Sequence, residues 1–295
     1  MIERVGFAAE LAAYTDQHGP VTIGLAGAGQ MGTDIVVQVA LMTGVRIGAI
    51  AANSPRRPTE AIAMAGHAAD HGSFAASASD IDRTIEAGRI AVTDDLGALC
   101  AAGRIDVVVD ATGSPEVGTF LALEAIRNGK HIVMLNVEAD ITVGRLLARK
   151  AKEAGLVYTG SAGDEPASTL ELIAFAQSLG MEIVAAGKGK NNPLRHSAIP
   201  EEYEEEARAR NMNARMLVEF IDGSKTMVEM TAIANCTGLT PDVAGMHGPE
   251  ATSDNLGQVL CTTEDGGILS TRSARAWRPA SSAWSSRVIP VPSSA

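Results

Sequence analysis

Val21-Thr22-Ile23-Gly24-Leu25-Ala26-Gly27-Ala28-Gly29-Gln30-Met31-Gly32 is an apolar strand candidate that runs directly into a G-x-G-x-x-G turn, and a helical run from Thr33 to Thr43 follows at once. The glycine spacing alone is a weak signal. Its position between strand and helix is what decides the fold. There Gly27 allows the tight turn, Gly29 lets the backbone approach a pyrophosphate, and Gly32 lets the helix pack closely on the strand. The unpaired N–H groups of Gln30 and Met31, at the positive end of the helix dipole, then face the two phosphates. The pattern predicts a dinucleotide-binding domain.

Outward from this turn the first half of the chain alternates strand and helix patterns. Val45–Ile50 reads as a second buried strand, Thr59–Ala69 as a helix, Gly72–Ser79 as a loop, and Ser79 as the cap of a further short helix. Strands are expected at Arg89–Thr93, Ile105–Asp110 and His131–Leu135. Ser114-Pro115-Glu116 opens a helix that Gly129 closes, and Thr142–Ala154 is a helix closed by Gly155. Before all of these, Ile2–Gln17 forms a leading helix stopped by Gly19-Pro20. Such alternation predicts an α/β fold, a Rossmann-type doubly wound parallel sheet with right-handed crossovers. Beyond Leu156 the rhythm changes. Helices at Pro166–Leu179, Glu201–Arg210, Asn213–Asp222 and Ser224–Asn235, with strands at Glu182–Gly187 and near Gln258–Thr262, predict a smaller α+β catalytic domain. The expected boundaries are 1–155 for the dinucleotide-binding domain, 156–270 for the catalytic domain and 271–295 for a tail.

That tail, TRSARAWRPASSAWSSRVIPVPSSA, differs from the body. It lacks Asp, Glu, Lys, Gly and Leu, holds both tryptophans, and sustains neither helix nor strand period. We expect an aberrant or disordered end, from a shifted reading frame or a flexible tail, that leaves the catalytic domain truncated.

Composition narrows the function classes. The chain has 295 residues, 46% apolar and 20% charged, which suits folded domains rather than disorder. Its net charge of −11 argues against nucleic acid or an anionic membrane as partner and leaves a small-molecule substrate. The longest apolar run, Ile35–Met42, is interrupted by Gln38 and is too short to span a bilayer. Cys100, Cys236 and Cys261 fit no disulfide or zinc spacing, so reduced thiols in a cytoplasmic protein are expected. A homo-oligomer is a separate expectation that the cysteines do not bear on.

The nucleotide form is read at the end of the second strand. NAD-binding domains place an acid there to bond the ribose 2′-hydroxyl. Here Ala51-Ala52-Asn53-Ser54-Pro55-Arg56-Arg57 offers an amide, a hydroxyl and two guanidiniums instead, which favours NADP(H) over NAD(H). The plainer alternative is that both arginines are solvated loop charges. Ala111-Thr112-Gly113 and Asn136 follow later strands and belong to the same rim.

Three clusters are candidates for catalysis. Asp164 and Glu165, in a glycine loop entering a helix, offer ligands for a divalent metal or favourable charge at a helix N-terminus. Lys188 and Lys190, among glycines after a strand, suit an anion or a carbonyl oxygen. Lys225 and Glu229 share a helix face four residues apart, which an ordinary surface pair also explains. His67 and His71 have metal-ligand spacing without an acidic or thiol partner and read as exposed histidines, and His247 is a weak acid/base candidate.

With the glycine turn, Asp110-Ala111-Thr112-Gly113-Ser114-Pro115-Glu116-Val117-Gly118 and Asn136-Val137-Glu138-Ala139-Asp140 in view, residues 1–270 resemble the homoserine-dehydrogenase-like oxidoreductases. The loops Gly163–Pro166 and Lys188–Leu194 make the deoxyxylulose-phosphate-reductoisomerase-like branch the nearest. The resemblance implies an NADPH-dependent reductase acting on a small polar carbonyl or hydroxy compound. In that branch it further implies rearrangement plus reduction of a sugar phosphate with a divalent metal as helper. Homoserine dehydrogenases carry Asn-Lys after the corresponding strand, whereas Val137 follows Asn136 here, which argues against oxidation of an amino-acid alcohol. A nucleotide-binding protein without chemistry is the other alternative.

Overall fold

The computed structural model describes residues 4–68, 70–190, 194–210, 212–270 and, as backbone, 275–277. The chain divides into two compact units after Thr159.

In the first unit, β1 (Val21–Ala26) lies at the centre of a seven-stranded sheet. The strands after it are β2 (Val45–Ala51), β3 (Gly72–Phe74), β4 (Ile90–Thr93), β5 (Val107–Asp110), β6 (His131–Met134) and β7 (Tyr158–Gly160), in the order β3-β4-β2-β1-β5-β6-β7. All pairings from β3 to β6 are parallel. The strand order reverses between β1 and β5, so their carboxyl ends open a crevice, the place where ligands bind in such sheets. Ala26 and Asp110 stand side by side at that opening.

Helices cover both faces because the strands alternate apolar side chains to either side. Leu25, Ile47, Ile50, Val92 and Val109 meet α2 (Gln30–Leu41) and α3 (Arg56–Met64) through Val36, Val39, Ala61 and Ile62. Ala26, Ala49, Ala51 and Val108 face α4 (Ala78–Glu86), α5 (Leu96–Ala101), α6 (Pro115–Arg127) and α8 (Arg145–Glu153). A leading helix, α1 (Phe7–His18), precedes β1, and a short α7 (Val137–Ala139) runs through a π-helical turn, Asp140–Gly144, into α8.

Several expectations need correction. Gly72–Phe74 is not loop but the edge strand β3, held by pairing to β4. Ser77, not Ser79, caps α4, because its hydroxyl accepts the Asp80 N–H. Helix α5 went unread: Asp95 caps it by accepting the Ala98 N–H at 3.0 Å, and six residues are too few to show a period. Strand β7, three residues long, was missed for the same reason.

The second unit contains α9 (Ala167–Ser178), β8 (Ala185–Gly187), α10 (Glu204–Ala209), α11 (Ala214–Asp222), α12 (Ser224–Thr237), β9 (Thr240–Pro241), α13 (Leu256–Val259) and β10 (Arg275–Trp277). Its core joins Ile173, Ala186, Met230, Ile233 and Leu239. The stripe Thr226, Glu229, Met230 and Ile233 is buried along α12, which carries one acid into the interior. The strand expected at Gln258–Thr262 is not formed: Gln258 and Val259 end helix α13, and Thr262 makes only an isolated bridge to Leu269. Three residues of the expected tail are described. Arg275–Trp277 forms the middle strand of a sheet ordered β8-β10-β9. The rest of that tail lies outside the described residues. Among them no helix is long and apolar enough to cross a membrane.

Candidate active site

The glycine turn is built from three strand ends. The Gly27 N–H donates to Ala51 O of β2, and the Ala111 N–H donates to Ala26 O of β1, each at 2.8 Å. Gly27 has φ of 96°, and a Cβ there would lie 2.6 Å from Ala111 O. A Cβ on Gly32 would lie 2.1 Å from Gly27 O. These two glycines are therefore demanded by the chain's own packing. Gly29 is different. It has φ of −74°, and nothing lies within 4 Å of where its Cβ would stand. Gly29 heads α2 without a side-chain cap, so the first N–H groups of the helix, around the exposed Gln30 and Met31, receive no side-chain acceptor. Open backbone and uncapped donors at one helix N-terminus fit a diphosphate.

At the end of β2, Asn53, Ser54, Arg56 and Arg57 are all exposed, and no acid stands among them. Arg56 is engaged by Glu60 at 2.8 Å, one turn along α3.

Behind the rim, Asp110 is fully buried. Its carboxylate accepts the Thr112 N–H at 2.9 Å, the Thr112 hydroxyl at 2.7 Å and the Asn136 amide at 3.0 Å. Burial still holds this carboxyl above its ordinary range, with those three bonds opposing the shift. Asn136 also donates to Ser114 O at 2.8 Å and accepts the Ala139 N–H at 3.1 Å. Both ends of its amide are thus occupied inside the protein. Asn136, expected from sequence among the nucleotide-binding residues, bonds Asp110 and Ser114, which flank the loop Ala111–Gly113 at the crevice. Sequence reasoning missed Asp110 and Gly118 as parts of this lock. A Cβ on Gly118 would come within 2.6 Å of both Asp110 and Asn136 side chains.

The second unit gathers four of the expected residues. Lys188, just past β8, places its ammonium 3.0 Å from Glu165 and 2.7 Å from Glu229. Carboxylate oxygens of Asp164, Glu165 and Glu229 all lie within 4.8 Å of one another. Glu165 and Glu229 are buried, and the Glu165 N–H donates to Asp164 at 3.0 Å. Burial raises the Glu229 carboxyl; Lys188 opposes that rise, and the acids Glu165 and Asp164 add to it. Asp164 is raised by burial and by its neighbour Glu165. For Lys188 burial works against the charge, yet the two carboxylates prevail and its value is raised.

Two sequence readings change here. Lys190 was paired with Lys188 as an anion site, but its ammonium donates to Phe220 O in the last turn of α11, where a cation suits the helix dipole. Lys225 is a candidate beside Glu229 by spacing along α12, which an ordinary surface pair also explains. The close partner of Glu229 is Lys188, and Lys225 is half-buried one turn earlier. Burial of the α12 stripe turned Glu229 inward, a signal present in its apolar neighbours Met230 and Ile233. Asn191 and Asn192, in the same predicted loop, lie outside the described residues. His247 bonds the buried Asp242 at 2.7 Å. His67 and His71 stack face to face, their ring centres 4.2 Å apart.

With this geometry in place, comparison with known proteins is informative. Residues 27–159 match the family model described as homoserine dehydrogenase, NAD binding domain. Residues 163–276 match oxidoreductase DRL, catalytic domain. A homoserine dehydrogenase of Methylobacillus glycogenes is 42% identical over 57 residues, 19% of this chain and 14% of that protein. Among solved structures, 1-deoxy-D-xylulose 5-phosphate reductoisomerase from Zymomonas mobilis in complex with NADPH is 17% identical, covering 74% of this chain and 58% of that one, with a TM-score of 0.48. A homoserine dehydrogenase from Thiobacillus denitrificans is 22% identical over 52% of this chain and 34% of that one, with a TM-score of 0.36. The chain spans less than two thirds of the length of each. The two domain models, and not these partial likenesses, carry the assignment: residues 27–159 form a homoserine-dehydrogenase-type NAD-binding domain and residues 163–276 a DRL-type oxidoreductase catalytic domain, the make-up of an NAD(P)-dependent oxidoreductase.

Proposed function

We propose that this chain is an NADP(H)-dependent reductase of a small polar carbonyl compound, with Lys188, Glu165, Glu229 and Asp164 as its reacting groups. The observation that carries the reading is the ion cluster itself. One ammonium and three carboxyl groups, two of them buried, converge from a loop, a strand end and a helix of the DRL-type domain. Maintaining such a cluster is costly unless it is used, because apolar side chains in its place would be equally or more stable.

The dinucleotide, when bound, supplies or accepts the hydride. The chain's own groups do the rest. Lys188 offers a charged N–H donor that stabilises a carbonyl oxygen as negative charge develops on it. A carboxyl held above its ordinary range, Glu229 or Asp164, retains a proton near neutrality more readily than an exposed acid and hands it to that oxygen. Three acids against one lysine leave two negative charges in excess when all are ionised. Of the two roles expected for the lysines, anion binding or carbonyl polarisation, the second suits Lys188, whose ammonium lies between Glu165 and Glu229, while Lys190 donates to Phe220 O. The same hard oxygen donors fit a divalent cation such as Mg²⁺ or Mn²⁺, which Asp164, Glu165 and Glu229 would hold and which would polarise a carbonyl there.

NADP(H) is preferred over NAD(H) in this reading because β2 ends without an acid and Asn53, Ser54 and Arg57 are exposed beside it. The test is NADPH consumption over a panel of sugar phosphates, aldehydes and semialdehydes, with and without Mn²⁺. Turnover with at least one member, abolished in Lys188→Met while NADPH binding persists, supports the proposal. Turnover unchanged by that substitution overturns the assignment of the cluster.

A further inference from the structure

At the amino ends of β2 and β4, away from the rim that fits the dinucleotide, the first unit has a recess of ≈ 210 Å³. Its apolar floor comes from Val36 and Val39 of α2, Ile47 of β2, Ile85 of α4 and Ile90 of β4. Its remaining wall is basic: Arg46, Arg89, His67 and His71. The volume is that of roughly seven waters at bulk density, too small for a nucleotide and suited to one small ion with part of its hydration shell.

The wall is basic in a chain that carries a net charge of −11. Among the described residues, no carboxylate pairs with Arg46 or Arg89, and the two converge on one recess. Arg46 donates from Nε to the Thr22 hydroxyl at 2.9 Å, and Arg89 donates to the carbonyls of Asp70 and Gly72. Each guanidinium has five N–H donors, so both retain donors for a ligand. The two imidazoles lie parallel, 1° from coplanar orientation, at 4.2 Å between centres. If both were protonated, their charges would repel at that separation unless an anion stood beside them. His71 titrates below its usual range because of burial, His67 and Arg89, while exposed Asp70 acts in the opposite direction.

We propose that this recess binds a small oxyanion, of sulfate or phosphate size, between the two arginines and the stacked histidines, and that binding strengthens as the histidines gain protons. An anion here favours the charged imidazoles, so each proton the pair takes up as pH falls tightens the ligand. The charged groups acting on the pair are Arg46 from β2, Arg89 ahead of β4, and Asp70 from the loop that carries both rings. The site stands independently of the nucleotide reading, since it uses no residue of the glycine turn.

The test is calorimetric titration of the whole chain with sodium sulfate at pH 5.5 and pH 8.0, at constant ionic strength. Sulfate keeps its charge over that interval, so any pH dependence belongs to the protein. We expect at least tenfold tighter binding at pH 5.5. His67→Gln/His71→Gln should remove the pH dependence, and Arg46→Gln should weaken binding at both values, each with an unchanged circular dichroism spectrum. Absence of saturable binding at pH 5.5, or equal affinity in wild type and the double-histidine variant, would overturn the proposal. If sulfate binds wild type and Arg46→Gln alike, it is held elsewhere, and the proposal fails equally.

Discussion

Two buried polar clusters, one in each unit, show how differently a folded chain can treat an acid. Asp110 meets only neutral donors, from Thr112 and Asn136, and Asn136 is itself saturated by Ser114 and Ala139. Nothing in that network is left over. Around Lys188 the balance is opposite: three carboxyl groups compete for one ammonium. A closed set of hydrogen bonds specifies one backbone geometry, and here it holds the loop at the switch point of the sheet. An unbalanced set stores a preference for whatever restores the balance, whether a proton, a cation or a polarised carbonyl. The first arrangement fixes a loop; in the proposed function the second supplies the reacting groups.

The sharpest way to break that contrast is to remove the ammonium. Lys188→Met leaves buried carboxylates unpaired, so we expect about 3–5 kcal/mol lower stability in denaturant titration and loss of turnover. A variant with full stability would show that the acids carry protons already and that the ion pairs contribute little.

The glycine turn provides the next test, because its three glycines have separable reasons. Gly32→Ala drives a Cβ into Gly27 O and should destabilise by several kcal/mol, of order 3 or more, as overpacking against backbone does. Gly29→Ala meets nothing and should unfold within about 0.5 kcal/mol of wild type, yet bind NADPH at least tenfold more weakly. Equal NADPH affinity in Gly29→Ala and wild type would remove the diphosphate from that position.

In the closed network, Asn136→Ala takes one donor from the buried Asp110 carboxylate and both bonds that tie Ser114 and Ala139. A loss of about 1–3 kcal/mol is expected, with NADPH affinity falling as the loop loosens and no change in the pH profile of turnover.

The pH dependence of stability sharpens the same comparison. Burial holds Glu229 above its ordinary value of 4.5. Such an acid binds more protons folded than unfolded, so its contribution is complete below about pH 4.5 and is lost as pH rises through the folded value. Lys188 is raised as well, and its contribution persists until far more alkaline pH. The thermal midpoint should therefore decline between pH 5 and 8 more steeply in wild type than in Glu229→Gln. Identical slopes would mean that Glu229 does not titrate in that window. The smallest effect is expected at the end of β2. Arg57→Ala should narrow the preference for NADPH over NADH severalfold, while Arg56→Ala, already engaged by Glu60, should change it little.

What could be read from residues alone was whatever local chemistry enforces. Helix α6 was legible end to end because Ser114 caps it, Pro115 starts it and Gly129, with φ of 70°, closes it. The strand–turn–helix around Gly27 was legible because only glycine tolerates that backbone and that closeness. Short elements such as β3, β7 and α5 were not, since three to six residues carry no measurable period and are held by their neighbours in the sheet. Four of the candidate residues of the second unit, Asp164, Glu165, Lys188 and Glu229, lie together, but the pairings among them differ from those the sequence suggests. Spacing along α12 suggested Lys225 for Glu229, and proximity in the chain suggested Lys190 for Lys188. Sequence by itself thus determined the nucleotide-type fold and named the candidate groups, because turn geometry and hydrophobic period are local properties. Only the tertiary structure decided that Lys188 meets Glu165 and Glu229 while Lys190 closes α11, because charge pairing depends on which helix face is buried, and burial is a property of the whole packed unit.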